Sequence, residues 1–126
     1  MAKKTILVVE DDSSLKKIIG LKLKQVGYNV LLSQDGEEAI KIIKERHPDL
    51  VWLDIYLPKA NGLEILKKIR KDAKLKDTDV IVVTVSSSIN KKELAEKLAV
   101  KDYLVKSNYP IDGIVDKVAG YMKKKK

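Results

Sequence analysis

A chain of 126 residues has room for one domain with one real core, and with 44% hydrophobic and 35% charged residues it reads as a folded globular protein rather than a disordered one. The absence of cysteine excludes disulfides, thiol catalysis and thiolate metal sites. The net charge of +8 raises nucleic acid as a partner, but the run Lys123–Lys126 supplies four of the lysines and the rest alternate with Glu and Asp along helix-like segments, as on a solvated surface. Nucleic acid is therefore not expected among the partners. No apolar run approaches a membrane span, and no cleavage site follows the short apolar stretch near the N-terminus, so no membrane partner and a cytoplasmic location are expected.

The first apolar run, Thr5–Val9, reads as a strand, and Leu15, Ile18, Ile19, Leu23 and Val26 then recur on one helical face, with Gly27 placed as its stop. A second strand, Val30–Ser33, is followed by a helical face of Ala39, Ile40 and Ile43, and Pro48 lies just beyond that helix. The third strand, Leu50–Leu53, precedes a helix marked by Leu63, Leu66 and Ile69. After the fourth strand, Val80–Thr84, comes a thinner helical face of Leu94 and Leu98, with Asn90 and Glu93 spaced as a capping box. The fifth strand, Tyr103–Val105, leads to a helix carrying Ile111, Ile114, Val115, Val118 and Met122, with Pro110 suited to its first turn. The first, third and fourth runs are continuous rather than alternating, which suits strands covered on both faces. Five β-α repeats without a linker predict an α/β fold in one domain over 1–126: a doubly wound, five-stranded parallel sheet with right-handed crossovers.

In such sheets ligands bind beyond the carboxyl ends of the strands, where strand order reverses. Glu10, Asp11 and Asp12 follow the first strand, Asp54 follows the third, the fourth ends on Thr84, and Lys106 follows the fifth. Only the second strand, ending Ser33-Gln34, delivers nothing reactive, and it is expected at an edge. Carboxylates brought this close repel one another, and burial adds to the cost. A hard divalent cation with oxygen ligands relieves both, and carboxylates, waters and a phosphate oxygen make a typical magnesium arrangement. The lysine then serves as a point charge for a phosphoryl group, so the pattern reads as phosphoryl chemistry on an aspartate.

The motifs VVEDD, LDIYLPKANGLE, VVTVSSS and DYLVK, in this order over essentially the whole chain, resemble those of the response regulator receiver domain, the CheY-like fold. The resemblance implies a flavodoxin-like (βα)5 sheet with strand order 2-1-3-4-5. It implies that Asp54 accepts a phosphoryl group from a histidine kinase of a two-component system. Glu10, Asp11, Asp54 and the backbone carbonyl of Tyr56 would bind Mg2+, Lys106 would hold a phosphoryl oxygen, and Thr84 would turn its hydroxyl toward the same group. Asp12 is a spare acid or a helix cap. Tyr103 matches the switch aromatic that moves inward as Thr84 shifts, altering a surface made by the fourth helix, fifth strand and fifth helix for a downstream protein target. No turnover of a separate substrate is implied, since the domain would catalyse its own phosphorylation and dephosphorylation. A monomer or weak homodimer is expected. Trp52 shares a face with Asp54 by strand alternation but is expected in the core, and His47, the only histidine, is expected at the surface.

Three positions depart from the family pattern. Ser107 stands where a proline with a cis bond before it is usual, which leaves open whether the Lys106-Ser107 bond is cis or the loop is trans and rearranged. Val85 replaces a small residue after the threonine and is expected to crowd the phosphoryl pocket. Leu98-Ala99-Val100-Lys101-Asp102 lacks the Gly-Ala often found before the last strand. Val85 and Ser107 keep an alternative in view: a degenerate receiver that works as a phosphorylation-independent interaction module. A flavodoxin-like cofactor site is disfavoured, because the loop after the first strand is acidic and would repel a phosphate unless a metal intervened.

Overall fold

The structure is a computed structural model and describes residues 3–125; Lys126 of the terminal lysine run lies outside them. Its elements in chain order are β1 (Thr5–Val9), α1 (Ser13–Gln25), β2 (Asn29–Ser33), α2 (Gly36–Arg46), β3 (Leu50–Leu53), α3 (Gly62–Lys71), β4 (Val80–Thr84), α4 (Ile89–Lys97), β5 (Asp102–Val105) and α5 (Ile111–Lys124), with a single 3-10 turn at Lys106–Asn108. All five strands are parallel and lie in the order β2-β1-β3-β4-β5, as expected, with β2 at an edge. The second and fifth strands each begin one residue earlier than the apolar pattern marks.

Strand alternation divides the interior in two. Leu7, Val9, Val51, Leu53, Val80 and Val82 point to one face, where α2, α3 and α4 supply Ala39, Ile43, Leu66, Ile69 and Ala95. Ile6, Val8, Leu50, Trp52, Ile81, Val83 and Leu104 point to the other, against Ile19 and Leu23 of α1 and Ile114, Val115, Val118 and Met122 of α5. Trp52 is therefore core, as expected. α1 buries a narrower stripe than its spacing suggests: Ile19 and Leu23 are inside, while Ile18 and Val26, at the margins of that stripe, are exposed. α4 is the most lightly held helix, with Ala95 its one fully buried residue.

Side-chain caps fix the helix starts. Asp12 Oδ1 accepts from the Leu15 N–H at 3.0 Å, and Asp35 Oδ1 from the Glu38 N–H at 2.9 Å. The capping box expected at Asn90 and Glu93 does not form, because α4 begins earlier: Ser88 is its cap and accepts from the Lys91 N–H at 3.3 Å. Pro110 is the residue immediately before the first turn of α5.

Two helices stop by the same device. In α1 the Gly27 N–H bonds to the Lys24 carbonyl and the Tyr28 N–H to the Leu23 carbonyl; in α4 the Ala99 N–H bonds to the Glu96 carbonyl and the Val100 N–H to the Ala95 carbonyl. This pairing needs a left-handed residue, supplied by Gly27 at φ 106° and by Ala99 at φ 60°. Ala99 carries a Cβ in a conformation that glycine adopts without penalty. Arg70 steadies this end of α4, its guanidinium donating to the carbonyls of Leu98, Ala99, Lys76 and Thr78.

The two caps give opposite expectations. A left-handed residue with a Cβ costs about 1–2 kcal/mol, and the extra freedom of glycine in the unfolded chain takes back about 0.4–1 kcal/mol. Ala99→Gly is therefore expected to stabilise by roughly 0.5–1 kcal/mol and Gly27→Ala to destabilise by a similar amount, read as shifts of a few degrees in Tm. Nothing lies within 4 Å of a Cβ built at Gly27, so that loss would be conformational alone. Equal midpoints for all three proteins would contradict the assignment.

Candidate functional site

Register brings the polar strand ends together. Val9 is level with Leu53 across the β1–β3 ladder, so the next residues, Glu10 and Asp54, leave the sheet side by side. The ladder continues one step past the strands: the Asp54 N–H donates to the Val9 carbonyl at 3.1 Å, and the Glu10 N–H to the Ser33 carbonyl at 3.0 Å. Strand order reverses here, with β1 in the middle, β2 on one side and β3 on the other. Alternation turns Glu10, Asp54 and Lys106 to the same side of the sheet, two residues beyond Val8, Trp52 and Leu104 of the face that meets α1 and α5.

The Lys106 ammonium lies between the two carboxylates. Its Nζ donates to Glu10 Oε1 at 2.7 Å and to Asp54 Oδ2 at 2.9 Å. Glu10 and Asp54 are 2% and 5% exposed, so these charges are taken out of water and rely on each other. Burial would lower the Lys106 pKa, but hydrogen bonds and charge from Glu10 and Asp54 more than offset it and hold the amine above the ordinary lysine value. Burial pushes the Glu10 carboxyl above its ordinary 4.5 against the pull of Lys106, and the nearby Asp54 adds to the rise. Glu10, Asp11 and Asp54 each offer a carboxylate oxygen within 4.8 Å of the others. Three carboxylates against one ammonium leave two negative charges. That oxygen set, with Asp11 exposed on the solvent side, suits a hard dication that keeps some of its water. Asp12 stands apart from it as the cap of α1.

The loop after β3 is pinned to the Asp54 carboxylate. The Tyr56 N–H donates to Asp54 Oδ1 at 3.1 Å. The loop then returns so tightly that the Gly62 N–H reaches the Ile55 carbonyl at 2.6 Å. A Cβ on Gly62 would lie 2.3 Å from the Asp54 carbonyl oxygen and 2.7 Å from Ile55 Cα, so only glycine fits where α3 begins against the backbone of Asp54.

Thr84 and Tyr103 are joined through one residue that spacing alone does not single out. The Ser86 N–H donates to Thr84 Oγ1 at 3.3 Å, and the Tyr103 hydroxyl donates to the Ser86 carbonyl at 2.9 Å. Tyr103 is buried, and Thr84 has no exposed surface. A second residue missed by sequence is Lys91 of α4, whose Nζ donates to the Tyr56 hydroxyl at 2.6 Å and stands 4.4 Å from the centre of its ring. Hydrogen bonding from the Lys91 ammonium, with the Ser86 hydroxyl acting in the same direction, holds the Tyr56 phenol below its usual pKa. Ser86 sits in a Ser-Ser-Ser run and Lys91 in a Lys-Lys pair, each ordinary in a loop and on a helix surface, so the signal lies in their partners.

One departure from the family pattern resolves. The Lys106-Ser107 bond is trans, and Lys106 opens the 3-10 turn with its amine still on Glu10 and Asp54, so Ser107 does not displace it. Val85 is 62% exposed: the chain leaves the sheet after the buried Thr84, and the side chain that follows stands at the solvent side. His47 is exposed, in a left-handed cap at the end of α2.

Comparison with known proteins agrees with this geometry. The family model for the response regulator receiver domain matches residues 6–119. The chain is 36% identical over 110 residues to the probable transcriptional regulator ycf27 of Porphyridium aerugineum, a match covering 87% of this chain and 45% of that protein. The chain thus spans less than half the length of such curated relatives. Among solved structures, the phosphorylated cyanobacterial phytochrome response regulator RcpA is 31% identical with a TM-score of 0.81, covering 95% of this chain and 91% of that one. The Mn2+-bound response regulator Rcp1 is 29% identical with a TM-score of 0.79, covering 93% and 90%. Among the described residues no helix is long and apolar enough to cross a membrane. With the fold, the strand-end cluster and the family match in agreement, the chain belongs to the response regulator receiver domain family.

Proposed function

We propose that Asp54 is the phosphoacceptor of a two-component signalling domain. The observation that carries this reading is the buried Lys106 ammonium shared by Glu10 and Asp54, with the Asp54 carboxylate held on its other oxygen by the Tyr56 N–H. In the proposed reaction a carboxylate oxygen of Asp54 attacks the phosphorus of a phosphohistidine on a partner kinase. A P–O bond forms as the P–N bond breaks, and the electron pair leaves with the imidazole, which takes up a proton. Lys106 then exchanges its ion pair with Asp54 for a phosphoryl oxygen. Bound at Glu10, Asp11, Asp54 and the Tyr56 carbonyl, Mg2+ would balance the two negative charges of the cluster and the charge developing on the phosphoryl oxygens. The Mn2+ form of Rcp1 and the phosphorylated form of RcpA support both halves of this reading by likeness.

The output would run through Thr84. Its hydroxyl now accepts from the Ser86 N–H, and turning it toward a phosphoryl group would release that loop and the Tyr103 hydroxyl bonded to the Ser86 carbonyl. α4, with little buried surface, is the element freest to respond, which altogether favours the α4-β5-α5 surface as the one read by a downstream protein.

Incubation with acetyl phosphate and Mg2+ is expected to add one phosphoryl group to the parent, located on Asp54 by peptide mass analysis, and none to Asp54→Ala. No gain on the parent would favour the phosphorylation-independent interaction module. Mg2+ is also expected to raise the melting midpoint, by about 2.7 kcal/mol of stability at 100 times its dissociation constant, and Glu10→Gln or Asp11→Asn to remove most of that gain. Its pH dependence follows from Glu10. The raised pKa means that the folded, metal-free site binds this proton more tightly than the unfolded chain does. As pH falls from neutrality into the acid range, protonation of Glu10 stabilises the metal-free fold and competes with the ion, so the Mg2+-dependent gain should shrink. A gain that holds constant over this range would contradict the assignment of Glu10 as a ligand.

A further inference from the structure

We propose that Lys91 is a positioning residue for the phosphoryl group on Asp54, acting through Tyr56; this rests on the reading of Asp54 as the phosphoacceptor. Tyr56 is held at both ends. Its peptide N–H donates to Asp54 Oδ1, and its hydroxyl, at the far end of the side chain, accepts from the Lys91 ammonium, which also stands over the ring. Lys91 belongs to the first turn of α4, where its own N–H is fixed by the Ser88 cap. The Tyr56 side chain therefore crosses from the tip of β3, which carries Asp54, to the helix that follows β4, which ends on Thr84. A phosphoryl group bound to Asp54 and met by the Thr84 hydroxyl would lie under this crossing.

Two consequences follow. The brace sets the orientation of the Tyr56 peptide against the carboxylate, and it places a ring on the solvent side of the route along which water must reach the acyl phosphate. Tyr56 is 46% exposed, so the position of its ring is fixed by the Lys91 contact more than by core packing. The brace also joins the site to α4, the most lightly held helix. A displacement of α4 that withdraws Lys91 frees the ring and opens the site to water, so the lifetime of the acyl phosphate and the position of α4 are linked.

The test measures the loss of the phosphoryl group from Asp54 after removal of acetyl phosphate, with Mg2+ present, in the parent, Lys91→Met, Tyr56→Ala, the double variant and Lys91→Arg. Each of the first two changes is expected to speed loss on the order of two- to tenfold, the double variant to be no faster than Tyr56→Ala alone, and Lys91→Arg, which keeps a cation over the ring, to restore the parent lifetime. Unchanged melting midpoints of the metal-free proteins separate this from a structural defect. Equal lifetimes in the parent and Lys91→Met, or the same acceleration by Lys91→Met in the Tyr56→Ala background, overturns the proposal. Absence of label on the parent overturns the phosphoacceptor reading and this inference with it. Failure of the inference alone is distinguished by a parent that labels on Asp54.

Discussion

Two carboxylates on the tips of neighbouring strands share a single buried ammonium, and the rest of the site is arranged around that imbalance. Glu10 and Asp54 are almost wholly removed from water, Lys106 bonds to both, and Asp11 adds a third negative group at the solvent side. The lysine serves the two carboxylates without neutralising them. A fold that tolerates such a cluster has to hold it rigidly, since each group left without its partner would carry the full cost of burial.

The rigidity comes from the sheet. β1 and β3 are neighbouring interior strands, covered on both faces by separate apolar clusters, and their register puts Glu10 and Asp54 one residue beyond the last ladder pair. The ladder itself extends to their backbone N–H groups, and Gly62 lets α3 begin against the Asp54 carbonyl where any side chain would collide. The other side of the site is held differently. Thr84, Ser86 and Tyr103 are connected by single hydrogen bonds through loop backbone, and Tyr56 meets Lys91 at the surface. Strongly fixed carboxylates beside a lightly fixed loop and helix form a division suited to a domain whose charge state is read out as a change of surface.

The sheet and the ends of its strands were legible because they depend on short-range pattern: continuous Val, Ile and Leu runs, helical spacing between them, and a polar residue at each relevant strand end. Strand order was available through family likeness, not through periodicity. Elsewhere tertiary context decided. The cap of α4 fell on Ser88 rather than Asn90 because the helix starts earlier than its sparse apolar face marks. Ile18 and Val26 match the period of α1 yet stand in solvent, since a helix lying over two strands buries only its central stripe. The exposure of Val85 is likewise set by the point where the chain leaves the sheet after Thr84, which an apolar, β-branched residue does not announce. Lys91 and Ser86 escaped notice because a lysine in a helix and a serine in a serine-rich loop acquire meaning from a contact 35 residues away in one case and 17 in the other.

The central claim, that uncompensated negative charge at the strand tips is what a dication satisfies, is tested most directly by calorimetric titration of Mg2+ into the parent and into Lys106→Met. Loss of the ammonium leaves the carboxylates more crowded, so the account predicts tighter Mg2+ binding in the variant, together with a metal-free form less stable than the parent by about 3–5 kcal/mol, the usual cost of breaking a buried ion pair. Absence of saturable binding in the parent, or weaker binding in Lys106→Met while it remains folded, would contradict it.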